Sequence, residues 1–211
     1  MATLRRFPTF SQMIQKKVPR GYYITTPLCR KKDKKKFIHI WNTIKEEYTG
    51  DEDSFDKQVK RILKRVKKEG DDFLRNRVEI QFIDPILGYG VFAKKNLPKG
   101  SIVGEYVGLI KYLTPLEDKK LSATNGYLFE FSDIKELDNF VVDAKTYGNF
   151  IRFINHAKKG SKKENIEAYI YCDSEGPHII YTAKKEIKKG QELRLDYGAD
   201  TYWKNAPYDP I

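Results

Sequence analysis

The hydrophobic pattern of this chain changes period once, near residue 77, and that change restricts the fold more than any other feature. Before it, Phe37, Ile40, Trp41, Ile44 and Tyr48 recur at helical spacing and predict one side of an amphipathic helix. An acidic turn follows, TGDEDS, in which Asp53 or Ser54 is placed to cap a second helix. There Phe55, Val59, Ile62, Leu63 and Val66 make the apolar stripe, and Gly70 ends it. Residues 1–36, with Pro8, Pro19 and Pro27 and the run RKKDKKK from Arg30 to Lys36, read as irregular, mostly exposed chain. Beyond residue 77 the apolar segments are short: Val78 to Phe82, YGVFA, IVGEYVGLI, YLFEF, FVVDA, AYIYC, HIIYTA and ELRLDY. They are rich in β-branched and aromatic residues and broken by turn formers, as short strands are. The expected fold is α+β and β-dominated, a compact domain of small sheets behind an N-terminal helical region. No βαβ alternation is present, which argues against a doubly wound nucleotide-binding sheet.

Charge divides at nearly the same place. Residues 1–78 hold 21 Lys+Arg against 10 Asp+Glu, while residues 79–211 hold 19 of each. The whole excess of +11 therefore sits in the first third of the chain. That asymmetry suggests an appendage with its own partner beside an electrically balanced domain. The run Arg30–Lys36 and the outer face of the second helix (Lys57, Lys60, Arg61, Lys64, Arg65, Lys67, Lys68) suit nucleic-acid phosphates or nuclear import. A solvated helix face is the plainer reading, and the apolar helical faces of residues 37–66 fit either the domain or a homodimer.

Cys29 and Cys172 with His39, His156 and His178 give neither a disulfide framework nor a zinc-ligand spacing, so no metal is expected. No uncharged run approaches the roughly 18 apolar residues of a membrane span, and the N-terminus lacks a signal-peptide core. An intracellular protein without a membrane partner is the expectation. Nuclear or chromatin association, including delivery as a secreted effector, stays open.

Three segments carry the chemistry. Gly88 and Gly90 flank Tyr89 in GYGVFAKKNLPKG and let the backbone come close to a ligand, or simply form a hairpin turn. In RFINHA, Asn155 and His156 follow Phe153 and Ile154, a costly place for polar side chains unless hydrogen-bonded. The third is ELRLDYG, which ends on Tyr197.

In this order the segments resemble the SET-domain family of protein lysine methyltransferases. The resemblance covers about residues 78–204 and has no counterpart for residues 1–77; with the helical reading above, three regions are expected. These are a basic N-terminal extension with two helices (1–77), a SET catalytic domain (78–204) and a C-terminal tail (205–211). It implies a C-terminal pseudoknot in which the chain passes through the RFINH loop, an exception to unknotted topology. It also implies S-adenosylmethionine as cofactor, S-adenosylhomocysteine as product, and a lysine of a protein, a histone foremost, as substrate. Gly88, Tyr89, Gly90, Arg152, Asn155 and His156 would bind the cofactor, and Tyr197 with Tyr127 would be catalytic. Tyr106, Ala168 and Leu195 would line the lysine channel. Neither Ala168 nor Leu195 brings a hydroxyl, which predicts an enzyme not limited to monomethylation.

The chain departs from the family at several points. Ala157 stands where many members have Ser, Leu109 where many have Glu, and no cysteine follows Cys172, so no zinc-bound C-terminal lid is expected. Trp203 offers a substitute cover for the cofactor. Asp133, Glu136 and Asp138 are candidates for an acidic lining toward a basic substrate, and Lys31–Lys36 for automethylation. The competing reading is a non-catalytic SET-like module that binds a protein or nucleic acid through its basic region.

Overall fold

The computed structural model describes residues 5–6, 22–122 and 124–198. In chain order the first elements are β1 (Arg5–Arg6), β2 (Tyr22–Tyr23), β3 (Leu28–Cys29), α1 (Lys31–Tyr48), α2 (Ser54–Glu69) and the single turn α3 (Asp72–Arg75). Then come β4 (Val78–Asp84), β5 (Gly88–Ala93), β6 (Ile102–Glu105), β7 (Leu109–Tyr112), α4 (Pro115–Ser122), β8 (Leu128–Glu130), β9 (Phe140–Asp143) and β10 (Tyr147–Gly148). The last are β11 (Asn155–His156), β12 (Ile166–Asp173), β13 (Gly176–Ala183) and β14 (Arg194–Leu195), with 3₁₀ turns at Lys135–Leu137 and Phe150–Phe153. The change of period near residue 77 is thus a real change from helices to short strands. The chain divides into two compact units, residues 1–70, 105–152 and 170–179, and residues 71–104, 153–169 and 180–211.

The first unit is built on the sheet β3-β7-β9-β8, with Leu109 opposite Asp143 and Leu128 opposite Asp143 from the other side. Helix α1 buries Phe37, Trp41 and Ile44, three residues of the predicted stripe. The Phe37 and Tyr112 rings each meet the fully buried Phe140 edge-on at 5.3 Å. The run RKKDKKK is not irregular chain, as expected from its charge; Lys31–Lys36 is the first part of α1. The reason is Asp33, which is buried, pairs with Arg30 and accepts the Tyr112 N–H at 3.1 Å. Arg30 Nη2 reaches the Tyr112 carbonyl at 2.7 Å, and the Lys36 ammonium stands 3.2 Å from the centre of the Tyr112 ring. One strand residue thus anchors the N-cap Arg30 and two charged residues of the first turns, Asp33 and Lys36.

Helix α2 begins and ends as its sequence predicts. Asp53 accepts the Asp56 N–H at 2.8 Å, and Gly70, at φ 82°, gives its N–H to Val66 O. Two differences are local. The segment IVGEYVGLI is not one strand but β6 and β7, interrupted where Gly108 meets Asp143: a Cβ on Gly108 would lie 2.6 Å from the Asp143 carbonyl oxygen. Helix α4 was legible in TPLE but not predicted. Thr114 and Glu117 form a reciprocal cap, with the Thr114 N–H and hydroxyl both 2.9 Å from Glu117 Oε2 and proline in the first turn.

A buried ion cluster completes this unit. The His178 ring lies between Glu105 Oε1, 2.7 Å from Nδ1, and Asp173 Oδ1, 3.3 Å from Nε2, the latter a charge contact rather than an aligned hydrogen bond. Burial opposes the charged ring, but the two carboxylates prevail and push its pKa up to about 10.

In the second unit β4 and β5 form a hairpin with Val78 opposite Ala93 and Phe82 opposite Tyr89. The larger sheet has the order β11-β14-β12-β13-β6, and residues 170–179 of its β12–β13 hairpin belong to the first unit. β14 runs parallel to β11, with Asn155 opposite Arg194, and parallel to β12, with Ile166 opposite Leu195. Val91, Ile154, Ile166 and Leu193 are fully buried around these strands. Among the described residues, no helix is long and apolar enough to cross a membrane, and no group of His, Cys, Asp or Glu is arranged to hold a metal ion.

Two outcomes follow from this packing. Phe140→Ala empties the junction between α1 and the sheet, and denaturant unfolding should show a loss of about 3–5 kcal/mol. His178 titrates near 6.5 when unfolded and near 10 when folded. Its stabilising contribution is therefore complete below about pH 6.5 and is lost as pH rises toward about 10. The melting temperature of the wild type should fall more steeply than that of His178→Gln across that window, and parallel curves would refute the ion cluster.

Candidate functional site

The predicted site residues fall into two clusters, one in each unit. In the second unit Gly88 and Gly90 differ in what they require. Gly88 takes φ 74° and has open space where a Cβ would stand. Gly90 is closed in: a Cβ there would lie 2.7 Å from Glu192 Oε1, 2.8 Å from Ile83 Cδ1 and 3.2 Å from Asn155 Nδ2. Glycine is thus demanded at the first by backbone conformation and at the second by close approach. Tyr89 between them is buried, its ring edge-on to Phe82 at 5.4 Å and to Phe153 at 6.1 Å, and burial raises its phenol pKa.

The close approach at Gly90 leaves room for Asn155. Its amide gives one proton to the Tyr89 carbonyl at 3.0 Å and the other to Glu192 Oε1 at 2.9 Å. With both protons committed, Oδ1 is the polar atom that the amide can offer elsewhere. The Glu192 carboxylate is itself held, because Oε2 lies 2.7 Å from Arg194 Nε and 2.6 Å from Nη2. Asn165 Nδ2 fixes the Glu192 carbonyl at 2.8 Å. Glu192 was missed in the sequence. The available signal was its place two residues before Arg194, on the same side of an extended segment.

His156, on β11, meets Tyr197, which follows β14 by two residues. The Tyr197 N–H donates to His156 Nδ1 at 3.2 Å, and the rings are 5.5 Å apart at 60°. The Tyr197 hydroxyl donates to the Ile154 carbonyl. Burial lowers the His156 pKa despite Asp196 Oδ1 at 4.0 Å, which keeps the ring neutral and Nδ1 an acceptor. Asp196 also accepts the Gly198 N–H at 3.1 Å, the loop-pinning role its position suggests. Leu195 is buried opposite His156, whereas Ala168 is exposed on β12.

The first unit holds the other cluster. Tyr106 is buried and its hydroxyl donates to the Tyr127 carbonyl at 2.8 Å, which also accepts the Ala144 N–H at 2.9 Å. Arg152 is buried. Its Nη1 donates to the carbonyls of Ala144 at 2.7 Å and Lys145 at 3.0 Å, and its guanidinium carbon stands 5.5 Å from the centre of the Tyr127 ring. Asp143 ties this cluster together by accepting from Asn125 Nδ2 at 3.0 Å, the Lys145 N–H at 2.9 Å and Lys111 Nζ at 2.5 Å. Burial alone would raise its pKa, but these donors outweigh burial and hold it below the ordinary carboxylate value. Asp133, Glu136 and Asp138 are all exposed, and Glu136 accepts the Tyr48 hydroxyl at 3.2 Å. Trp203 and the tail from residue 205 lie outside the described residues.

The SET domain family pattern matches residues 88–198. Over 113 residues the chain is 35% identical to the H3 lysine-9-specific histone-lysine N-methyltransferase SUVH5 of Arabidopsis thaliana, covering 52% of this chain and 13% of that protein. Over 142 residues it is 30% identical to the N-lysine methyltransferase KMT5A-A of Danio rerio, covering 63% and 39%. A crystal structure of the Chaetomium thermophilum polycomb repressive complex 2 matches at 30% identity with a TM-score of 0.49, over 63% of this chain and 16% of that one. The chain therefore spans well under half the length of each of these proteins.

Gly90→Ala drives a methyl group into the Asn155–Glu192 contact. A loss of about 1–3 kcal/mol is expected from overpacking, read in thermal or denaturant melts. A substitution at Gly90 without effect would contradict the close approach described.

Proposed function

The chain belongs to the SET-domain family, and from that premise we propose that it transfers methyl groups from S-adenosylmethionine to a lysine of a protein, a histone foremost. The observation that carries this reading is the meeting of three sequence-distant segments: Tyr89 of β5, Asn155 and His156 of β11, and Tyr197 just beyond β14. Asn155 is held by Tyr89 and Glu192, His156 is neutral, and Tyr197 is pinned by its hydroxyl to the Ile154 carbonyl.

These residues fit the cofactor. The open face of Gly88 admits a ligand against the backbone, and Asn155 Oδ1 with the backbone groups around His156 can meet amino-acid and adenine nitrogens. Tyr89 and Gly90 complete that bend. The buried Arg152 contributes by fixing the 144–145 carbonyls, and Trp203 remains the proposed cover. When bound, the cofactor supplies an electrophilic methyl on a sulfonium.

The chain's own part is positioning. Tyr197 spends its hydroxyl proton on the Ile154 carbonyl, so its oxygen is left to accept. An acceptor there can orient a lysine N–H and receive a weak contact from a polarised methyl C–H. Displacement at carbon needs the amine, methyl and sulfur in line, and holding that geometry is the main catalytic gain. The amine must also be neutral, although its ordinary pKa is about 10.4. A lysine channel of low polarity would disfavour the ammonium and lower that value. With no hydroxyl from Leu195 or Ala168 to hold a partly methylated amine, the reaction continues past the first methyl. Histone substrates would place the protein at chromatin. The run Lys31–Lys36 is helical, and automethylation there would require α1 to unwind its first turns.

Tyr197→Phe and Asn155→Ala separate positioning from binding. S-adenosylhomocysteine at about 100 times its Kd should stabilise the wild type and Tyr197→Phe by about 2.7 kcal/mol, and should stabilise Asn155→Ala far less. Methyl incorporation into core histones or a lysine peptide array should fall at least about tenfold in Tyr197→Phe, the value of one lost hydrogen bond near 1.4 kcal/mol. A wild type that shows neither ligand stabilisation nor incorporation would overturn the assignment.

A further inference from the structure

Helix α2 carries seven cations, and the structure sorts them into two sets. Lys60 pairs with Glu52 at 2.5 Å, Arg65 with Glu69 at 2.9 Å and Lys67 with Glu175 at 2.6 Å. Lys57, Arg61, Lys64 and Lys68 are all exposed, and none of them makes an ion pair among the described residues. At 3.6 residues per turn these four fall within about 60° of arc and span about 16 Å of helix. They lie opposite Val59 and Val66, the residues that α2 buries. The three paired cations flank the row on both sides, and no carboxylate of the helix falls within it.

Such a row costs the free protein stability. Lys57 and Arg61, Arg61 and Lys64, and Lys64 and Lys68 are neighbours at i,i+4 or i,i+3, where like charges repel by a few tenths of a kcal/mol. Carboxylates neutralise the flanks and leave the centre bare, an arrangement that suits an external polyanion. Phe55, Ile62 and Leu63 are partly buried with the core side of the helix, so no apolar edge is left to enter a lipid headgroup layer. Lysine is depleted from protein–protein interfaces, whose centres need aromatic or apolar anchors that this row lacks. A duplex, with about one negative charge per 1.7 Å of axis, offers a phosphate to each of the four cations along the row. From this we infer that the outward face of α2 docks on the backbone of a double-stranded nucleic acid through Lys57, Arg61, Lys64 and Lys68. The contact is independent of sequence and brings the chain to nucleic acid rather than to one site on it.

The full chain is titrated against a labelled duplex by fluorescence anisotropy without cofactor, so the outcome is separate from that of the methyltransferase assay. Four phosphate contacts give a slope of log K against log salt of about −3.6, or roughly a hundredfold loss between about 50 and 200 mM salt. Replacing Lys57, Arg61, Lys64 and Lys68 together by Gln should flatten the slope by about 3–4 and weaken binding at least tenfold at the lowest salt. Replacing Lys60, Arg65 and Lys67 by Gln should change the slope by less than half as much. Each single replacement in the row should lower the slope by about 1, which keeps the test decisive if the quadruple variant folds poorly. An unchanged slope in the row variants, an equal loss in the flanking variant, or tighter binding to phosphatidylserine vesicles than to duplex at the same salt would overturn the docking.

Discussion

Two short parallel ladders hold β14 between β11 and β12, with Asn155 opposite Arg194 and His156 opposite Leu195 in the first and Ile166 opposite Leu195 in the second. The polar cluster beside Gly90 is arranged around the first of them. That pairing sets Glu192 beside Asn155 and brings the Tyr197 hydroxyl to the Ile154 carbonyl. A one-residue slip in either ladder would turn Asn155 away from Glu192, because neighbouring side chains of a strand point to opposite faces. The glycine at position 90 is the steric counterpart of the same constraint, since any Cβ there would occupy the space that Asn155 and Glu192 use.

Polar order in the first unit follows a similar logic on a different scaffold. Asp143, Arg152 and the Tyr127 carbonyl each satisfy more than one partner, so the turns between β7, β9 and β10 are fixed by side chains rather than by long ladders. Such networks are costly when incomplete and rigid when complete. A site that works by alignment rather than by strong acid–base chemistry needs that rigidity.

The charges are divided by the same rule. Several cations of the domain are matched locally: Arg194 by Glu192, Lys111 by Asp143, Lys184 by Glu164. On α2 the matching is partial, and what remains bare forms one row. The bare cations of α2 lie on the side of that helix opposite its buried residues Val59 and Val66.

The sequence by itself determined the helix-to-strand change near residue 77, the caps and buried stripe of α2, and the three segments that identify the family. These are local properties: periodicity, capping chemistry and glycine at bends can be read within a few residues. It left unread whatever depends on a partner far along the chain. Lys31–Lys36 looked like solvent-exposed coil because Tyr112, the residue that anchors it through Asp33 and Arg30, lies some eighty positions later. Glu192 looked like one more surface carboxylate because Asn155 reaches it through the parallel pairing of β11 and β14, and the bare face of Gly90 through the bridge of Phe92 with Glu192. The division of α2 into paired and bare cations likewise needed Glu52 and Glu175 placed in space. Hydrogen bonds and ion pairs between distant segments are decided by register and packing, which short-range patterns do not encode, and in this protein they decide what each polar side chain faces.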